Sequence, residues 1–176
     1  NMEEKKITKD MAFFTALCLF MSAIEYAIPK PLPFIRIGLA NLPIILALPI
    51  FSGKNYFFLV LLKIIRQGLI SGTLFSYVFL FSFAGSFASA FVMWGLFQLF
   101  KKRKNLSCVG ISLAGAMCNS LAQILVAKFF FFGDKVSLIA PILLWVSLIS
   151  GLLLGIFTQY FTKKSSWYAL VTKEET

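Results

Sequence analysis

Hydrophobic residues fill most of the chain in six runs, which are separated by short stretches that carry charged residues, proline or glycine. The runs cover residues 11–29, 42–52, 56–75, 77–100, 106–132 and 136–161. A straight helix needs about 20 mainly apolar residues to cross the hydrocarbon core of a bilayer, and only the second run is too short for this. That run contains Pro43 and Pro49, which predict either a kink or a start within the proline-rich segment before it.

This pattern predicts an all-α integral membrane protein with a single bundle of six transmembrane helices. The bundle is expected to cover residues 11–161, between a tail at 1–10 and a tail at 162–176. Composition favours the same class, because the chain is 59% hydrophobic and only 14% charged. Soluble domains carry about 45–50% apolar and about 25% charged residues. Soluble globular, disordered and fibrous proteins are therefore excluded.

The distribution of positive charge predicts the orientation in the membrane. The chain carries 17 Lys and Arg against 7 Asp and Glu. Eleven of the 17 fall on one side of the six predicted helices, in residues 1–10, 53–55, 101–105 and 162–176, and only Lys30, Arg36 and Lys135 fall on the other. Because Lys and Arg concentrate in cytoplasmic loops, both termini are expected in the cytoplasm. Contact with anionic lipid explains the net charge of +10 better than nucleic acid does.

The residue types exclude several kinds of chemistry. The chain has no histidine, and Cys18, Cys108 and Cys118 form no Cys-x-x-Cys pair. A zinc site and a Ser-His-Asp or Cys-His nucleophile are therefore not expected. The phosphate-binding pattern Gly-x-x-x-x-Gly-Lys-Ser/Thr is also missing, so the chain is not expected to hydrolyse ATP by itself. We predict neither an enzyme nor a cofactor or metal.

Polar residues inside the apolar runs are the candidate binding residues. A charge near the centre of a membrane helix costs at least about 2.5–3.5 kcal/mol, so such residues mark the bundle interior or a water-filled pocket. We expect them to form a pocket open to the exterior with an excess of positive charge, which favours a phosphate or carboxylate ligand. The candidates are Glu25, Lys30, Arg36, Asn41, Lys63, Arg66, Gln67, Asn119, Gln123 and Lys128.

Their spacing predicts two shared helix faces, one for Lys63 with Arg66 and one for Asn119 with Gln123. A purely structural alternative stays open, in which Glu25 pairs with Arg66 or Lys128 and holds the bundle together.

Small residues one helical turn apart predict close helix packing. They occur at Ala12 and Ala16 in the first run and at Gly151 and Gly155 in the last. A similar stripe in the fifth run contains Gly110, Ala114 and Cys118. For the fifth and sixth runs we expect packing within the bundle.

A specific resemblance to a known family lies in residues 25–43. It is carried by EYAIPKPLP at 25–33 and RIGLANLP at 36–43. These residues resemble the family called heptaprenyl diphosphate synthase component I, also known as the Gx transporter family. That family is similar to the substrate-binding S components of energy-coupling factor (ECF) transporters, which are six-helix membrane proteins with an external pocket and an Ala-x-x-x-Ala face on helix 1. Ala12 and Ala16 match that face.

The resemblance implies a transport subunit in the inner membrane of a bacterium that binds a small molecule outside the cell. Ala12 and Ala16 would dock on a membrane T component, which is itself bound to two cytoplasmic ATPases, and the proline-rich segment 29–35 would close over the substrate. The prenyl-synthase label implies Mg-diphosphate binding through aspartate-rich clusters, whereas Asp10 and Asp134 stand alone. We therefore interpret the label as either a naming accident or an accessory role, and not as an activity of this chain.

Two alternatives remain beside the transport subunit. One is an accessory membrane subunit of polyprenyl diphosphate or quinone biosynthesis, and the other is a membrane anchor for a redox assembly. The substrate of a transport subunit stays open between an anionic, aromatic, flavin-like vitamin and an isoprenoid or quinone precursor, because the many aromatic residues and the basic residues suit both.

Overall fold

The computed structural model describes residues 2–29, 38–100, 107–166 and 168, and within these ranges it contains helices, turns and no strand. Lys30 and Arg36 lie outside the described residues. The all-α prediction is confirmed. The α-helices are α1 (Met2–Ala27), α2 (Leu42–Ala47), α3 (Gly53–Ile70), α4 (Tyr77–Phe100), α5 (Cys108–Ala127) and α6 (Ala140–Lys164).

Among the described residues, four helical segments are long and apolar enough to cross a membrane, judged by length and composition. They are Ile7–Ala27, Tyr77–Phe100, Cys108–Phe131 and Ala140–Lys164. α2 has only 6 residues, and the 18 residues of α3 include three Lys and Arg. The structure therefore supports an integral membrane protein with four candidate spans, and the count of six spans stays a prediction.

The short second run forms a broken, buried segment in the middle of the bundle. A 3₁₀ turn at Leu39–Asn41 leads into α2, and a turn at 48–50 follows it. Pro43 lies in the first turn of α2, where backbone N–H groups have no hydrogen-bond partner within the helix, so a proline breaks no helical bond there. All six residues of α2 are buried. Irregular backbone is tolerated inside a membrane where it is enclosed by protein and does not face lipid, and the surroundings of α2 meet this condition. We call residues 38–51 the central segment.

α4, α5 and α6 pack closely through glycine. A Cβ at Gly115 of α5 would lie 2.6 Å from Met93 Cγ of α4, and a Cβ at Gly155 of α6 would lie 2.6 Å from Val109 Cα of α5. Ser112 Oγ also donates a hydrogen bond to the Gly151 carbonyl across the α5–α6 contact, at 2.8 Å. Packing within the bundle is thus confirmed for Gly151 and Gly155.

The central segment joins this three-helix unit to α1 and α3. The largest buried side chains around it include Phe14 of α1 and Tyr56 and Leu59 of α3. At the far end of the central segment, the Tyr168 hydroxyl donates to the Leu46 carbonyl at 3.2 Å. The polar side chains described next therefore lie on six chain segments, namely the central segment and the helices α1, α3, α4, α5 and α6.

Candidate ligand site

α1 and α3 end, and α4 begins, at the same end of the bundle, which is the end predicted to face the cell exterior. A cavity of about 440 Å³ lies between these three elements, and we call it the outer cavity. It is lined by Ser22, Glu25, Tyr26, Ile28, Pro29, Gln67, Ile70, Ser71, Thr73 and Val78. Two of the predicted binding residues, Glu25 and Gln67, thus share one cavity.

Glu25 connects the wall of the outer cavity to the central segment. Its side chain is only 2% exposed, and Oε1 accepts a hydrogen bond from the Gly38 N–H at 3.1 Å. Gly38 has φ +84°, a left-handed conformation that favours glycine, because a Cβ would be strained there. The carboxylate therefore fixes the point at which the central segment begins.

Lys63 holds the central segment from the α3 side. Its ammonium is buried and donates hydrogen bonds to Asn41 Oδ1 and to Ser86 Oγ of α4, the latter at 3.4 Å. Gln67 follows one turn later on the same buried face of α3. The structure thus gathers Glu25, Asn41, Lys63 and Gln67 around the start of the central segment.

Asn119 and Gln123 form the α5 part of the polar interior. Both are buried, and Gln123 Nε2 donates to Asn119 Oδ1 at 3.3 Å, which confirms the predicted shared face. They contact α4 at Gly85, where a Cβ would overlap Asn119 Oδ1. Glycine at position 85 therefore leaves the space that these two amides occupy.

Arg66 lies away from this interior cluster. It is exposed and lines a groove of about 470 Å³ between α1 and α3, whereas Lys63 is buried. The prediction that Lys63 and Arg66 share one face of α3 is wrong, because one residue is buried and the other exposed. Three residues advance a helix by about 300°, and the edge of the buried surface falls between the two side chains. We call this groove the α1–α3 groove; its lining residues are Ile7, Thr8, Met11, Ala12, Thr15, Asn55, Phe58, Leu62 and Arg66.

Lys128 is also outside the cluster. Its side chain is 54% exposed, and Nζ lies 3.7 Å from the carboxylate of the fully exposed Asp134. An ion pair exposed in this way is screened by water and salt, so it adds little to stability. The structural alternative in which Glu25 pairs with Arg66 or Lys128 is therefore not seen among the described residues: Glu25 accepts from the Gly38 N–H, Arg66 lines the α1–α3 groove and Lys128 pairs with Asp134.

The predicted excess of positive charge is not present in the described wall of the outer cavity. Glu25 is the one charged residue among the described residues that line it. Lys63 lies deeper, and Lys30 and Arg36 are outside the described residues. The described wall therefore offers a carboxylate, an amide and hydroxyl groups beside apolar side chains.

A set of buried serines, not among the residues predicted from the sequence, extends the polar interior. Ser120 and Ser147 form a hydrogen bond between α5 and α6. A signal was available on α4, because three of the serines recur there at intervals of four and three residues, as one helix face requires. The buried serines of α4, α5 and α6 are Ser82, Ser86, Ser89, Ser112, Ser120, Ser147 and Ser150.

Ala12 and Ala16 lie on the outside of the bundle. Both are exposed, and Ala12 lines the α1–α3 groove. No described helix covers these two positions, so the surface of α1 around them is open to a partner.

Comparison with known proteins identifies the family. No curated protein and no solved structure matches the chain. The family model described as heptaprenyl diphosphate synthase component I matches residues 14–161, a range that begins in α1 and ends in α6. Because this match covers most of the chain, and agrees with the resemblance found in residues 25–43, the protein belongs to the heptaprenyl diphosphate synthase component I family.

Proposed function

We propose that the protein is the substrate-binding membrane subunit, or S component, of an ECF-type transporter and binds a small molecule in the outer cavity. The observation that carries the proposal is the cavity itself. Its volume of about 440 Å³ lies within the roughly 300–1,000 Å³ of small-molecule sites. It also combines apolar walls with a few polar groups that converge from α1 and α3, which is the usual composition of such sites.

The lining of the outer cavity supports a vitamin-like ligand with an apolar body and a polar end. Tyr26, Ile70 and Val78 offer apolar surface, while Glu25 and Gln67 offer hydrogen-bonding groups. A flavin-like molecule and an isoprenoid or quinone precursor both have this character. A preference for an anionic ligand rests on Lys30 and Arg36, which are outside the described residues.

The proposed partners are a membrane T component and two cytoplasmic ATPases. Ala12 and Ala16 are exposed small residues one turn apart, and small residues allow a partner helix to approach closely. Arg66 lines the same groove as Ala12. A partner helix that fills the groove would desolvate this guanidinium, so we expect the partner to supply a carboxylate there.

A second candidate function follows from the family's description. In it, the chain is an accessory membrane subunit of polyprenyl diphosphate or quinone biosynthesis and assembles with a soluble synthase. The described residues contain no group of three or more His, Cys, Asp or Glu that could hold a metal ion. We therefore propose no prenyl transfer by this chain in either case.

Co-purification from native membranes tests the proposal and separates the two functions. Recovery of a T component and ATPases supports transport, whereas recovery of a soluble prenyl synthase in their place would favour the accessory role. In Ala16→Trp, the added bulk should abolish association with the T component while the purified variant still retains its ligand. Leu153→Trp is the matched control, because Leu153 is exposed on α6, and it should assemble normally. An Ala16→Trp variant that still assembles would contradict the proposed docking face.

A further inference from the structure

We infer that a second cavity, in the centre of the bundle, binds one water molecule that links the central segment to α4, α5 and α6. The cavity has a volume of about 10 Å³, roughly the space that one water needs. We call it the central cavity. It is lined by Gly38, Asn41, Ile45, Ser89, Met93, Ser112, Ala116, Asn119, Ser147, Ser150 and Leu154.

Ser89 of α4 provides the strongest argument for the water. Its side chain is 1% exposed, and its hydroxyl has no hydrogen-bond partner among the described residues. Leaving a buried hydroxyl without a partner is unfavourable, because the group gives up its hydrogen bonds to water on folding and gains none in return. A water in the adjoining cavity would accept a hydrogen bond from this hydroxyl and so remove the cost.

The other polar side chains around the central cavity can complete the water's hydrogen bonds. Ser112 Oγ donates to the Gly151 carbonyl at 2.8 Å, and Ser150 Oγ donates to the Ser147 carbonyl at 3.2 Å. Each hydroxyl oxygen still has lone pairs with which to accept from a water. Buried waters make about three hydrogen bonds, which these two oxygens and Ser89 would supply.

The charges nearby favour water over a cation such as Na⁺. The described lining of the central cavity contains no carboxylate. Asn41 Oδ1 already accepts a hydrogen bond from the Lys63 ammonium, so a metal ion in the cavity would lie beside a fixed positive charge. Hard cations prefer oxygen ligands that include carboxylates, and a neutral lining next to a lysine does not meet that preference.

The water site is independent of the proposed function, but it adjoins the proposed ligand site. Gly38 lines the central cavity, and its N–H donates to Glu25, which lines the outer cavity. A ligand that moves Glu25 would therefore also move one wall of the water site. This gives the broken central segment a hydrated contact with the three-helix unit.

Two serine variants test the inference by thermal unfolding in detergent. Ser82 is the matched control, because its hydroxyl is also buried without a partner among the described residues but does not line the central cavity. Ser89→Ala should lower the unfolding midpoint by about 2–4 °C, since it removes a hydrogen bond to the water. Ser82→Ala should leave the midpoint unchanged or raise it. An equal or higher midpoint for Ser89→Ala would overturn the inference.

Two measurements on the unchanged protein complete the test. A density map at high resolution should show a peak within about 3.2 Å of Ser89 Oγ, and a map without that peak would refute the water. Replacing Na⁺ by choline at constant ionic strength should not change the unfolding midpoint. A midpoint that rises with Na⁺ in the unchanged protein, but not in Ser89→Ala, would assign the cavity to a cation and overturn the inference.

Discussion

The contact of Gly85 with the amides of α5 can be tested by adding a single methyl group. In Gly85→Ala, the new Cβ would overlap Asn119 Oδ1 and lie 3.0 Å from Gln123 Nε2. Both side chains would have to move, and their mutual hydrogen bond would be strained or lost. The same substitution at Gly95 of α4 is the matched control, because a Cβ there meets no atom within 4 Å.

The expected difference between the two variants follows from three terms. Alanine is better than glycine in a helix by about 1 kcal/mol, and this gain applies equally to both variants. Overpacking at Gly85 costs about 1–3 kcal/mol. Loss of the Asn119–Gln123 hydrogen bond within α5 adds about 0.5–1.5 kcal/mol, the net contribution of a typical intramolecular hydrogen bond. Gly85→Ala should therefore have a free energy of unfolding about 1.5–4.5 kcal/mol below that of Gly95→Ala.

Reversible unfolding in mixed micelles, followed by circular dichroism, measures this difference. Gly95→Ala should be as stable as the unchanged protein or slightly more stable. If Gly85→Ala is equally stable, the close approach of α4 to the α5 amides does not exist as described, and the account of the polar interior would fail with it.

Three further predictions concern stability and orientation. Lys63→Ala should lower the free energy of unfolding by about 1.5–3 kcal/mol, because it removes a buried charged hydrogen-bond donor. Lys128→Ala should lower it by less than about 1 kcal/mol, because Lys128 forms only an exposed ion pair. Equal losses for the two variants in urea or SDS unfolding would contradict the burial of Lys63. Gly155→Ala should destabilise the protein more than Gly115→Ala, because a Cβ at Gly155 would meet the backbone of Val109, whereas a Cβ at Gly115 would meet the flexible side chain of Met93. An unchanged thermal midpoint for Gly155→Ala would be inconsistent with the contact to Val109. In a background without other cysteines, Lys135→Cys should react with a membrane-impermeant thiol reagent added outside intact cells, and Lys102→Cys should not react. The reverse pattern would contradict the predicted orientation.

Hydrophobic run length was enough to predict the helical class and the long helices. α4 covers residues 77–100 in the sequence prediction and in the structure alike, because every position in this run except Gln98 is apolar or small and a charged cluster follows it. Run length could not predict the form of the short second run. Its residues are apolar whether they cross the membrane or lie inside the bundle, and only tertiary packing decides between the two.

The candidate site was predicted in part, for a related physical reason. Glu25, Lys63 and Gln67 were identified because charged and amide groups in apolar runs need an interior. Arg66 meets the same criterion but lies on the exposed side of α3. The sequence spacing gives relative directions around a helix, whereas the direction of the core depends on the neighbouring helices. Ser89 was not predicted because serine is small and common in membrane helices, so a single serine in an apolar run does not indicate a polar site.

Binding of a small molecule in the outer cavity is the central claim, and native mass spectrometry of three purified proteins tests it most directly. The unchanged protein should carry a co-purifying small molecule. Val78→Trp should lose it, because Val78 lines the outer cavity and the larger side chain would fill it. Ile142→Trp should keep the ligand, since Ile142 is exposed in the first turn of α6. Retention of the same ligand by a folded Val78→Trp variant would contradict the account.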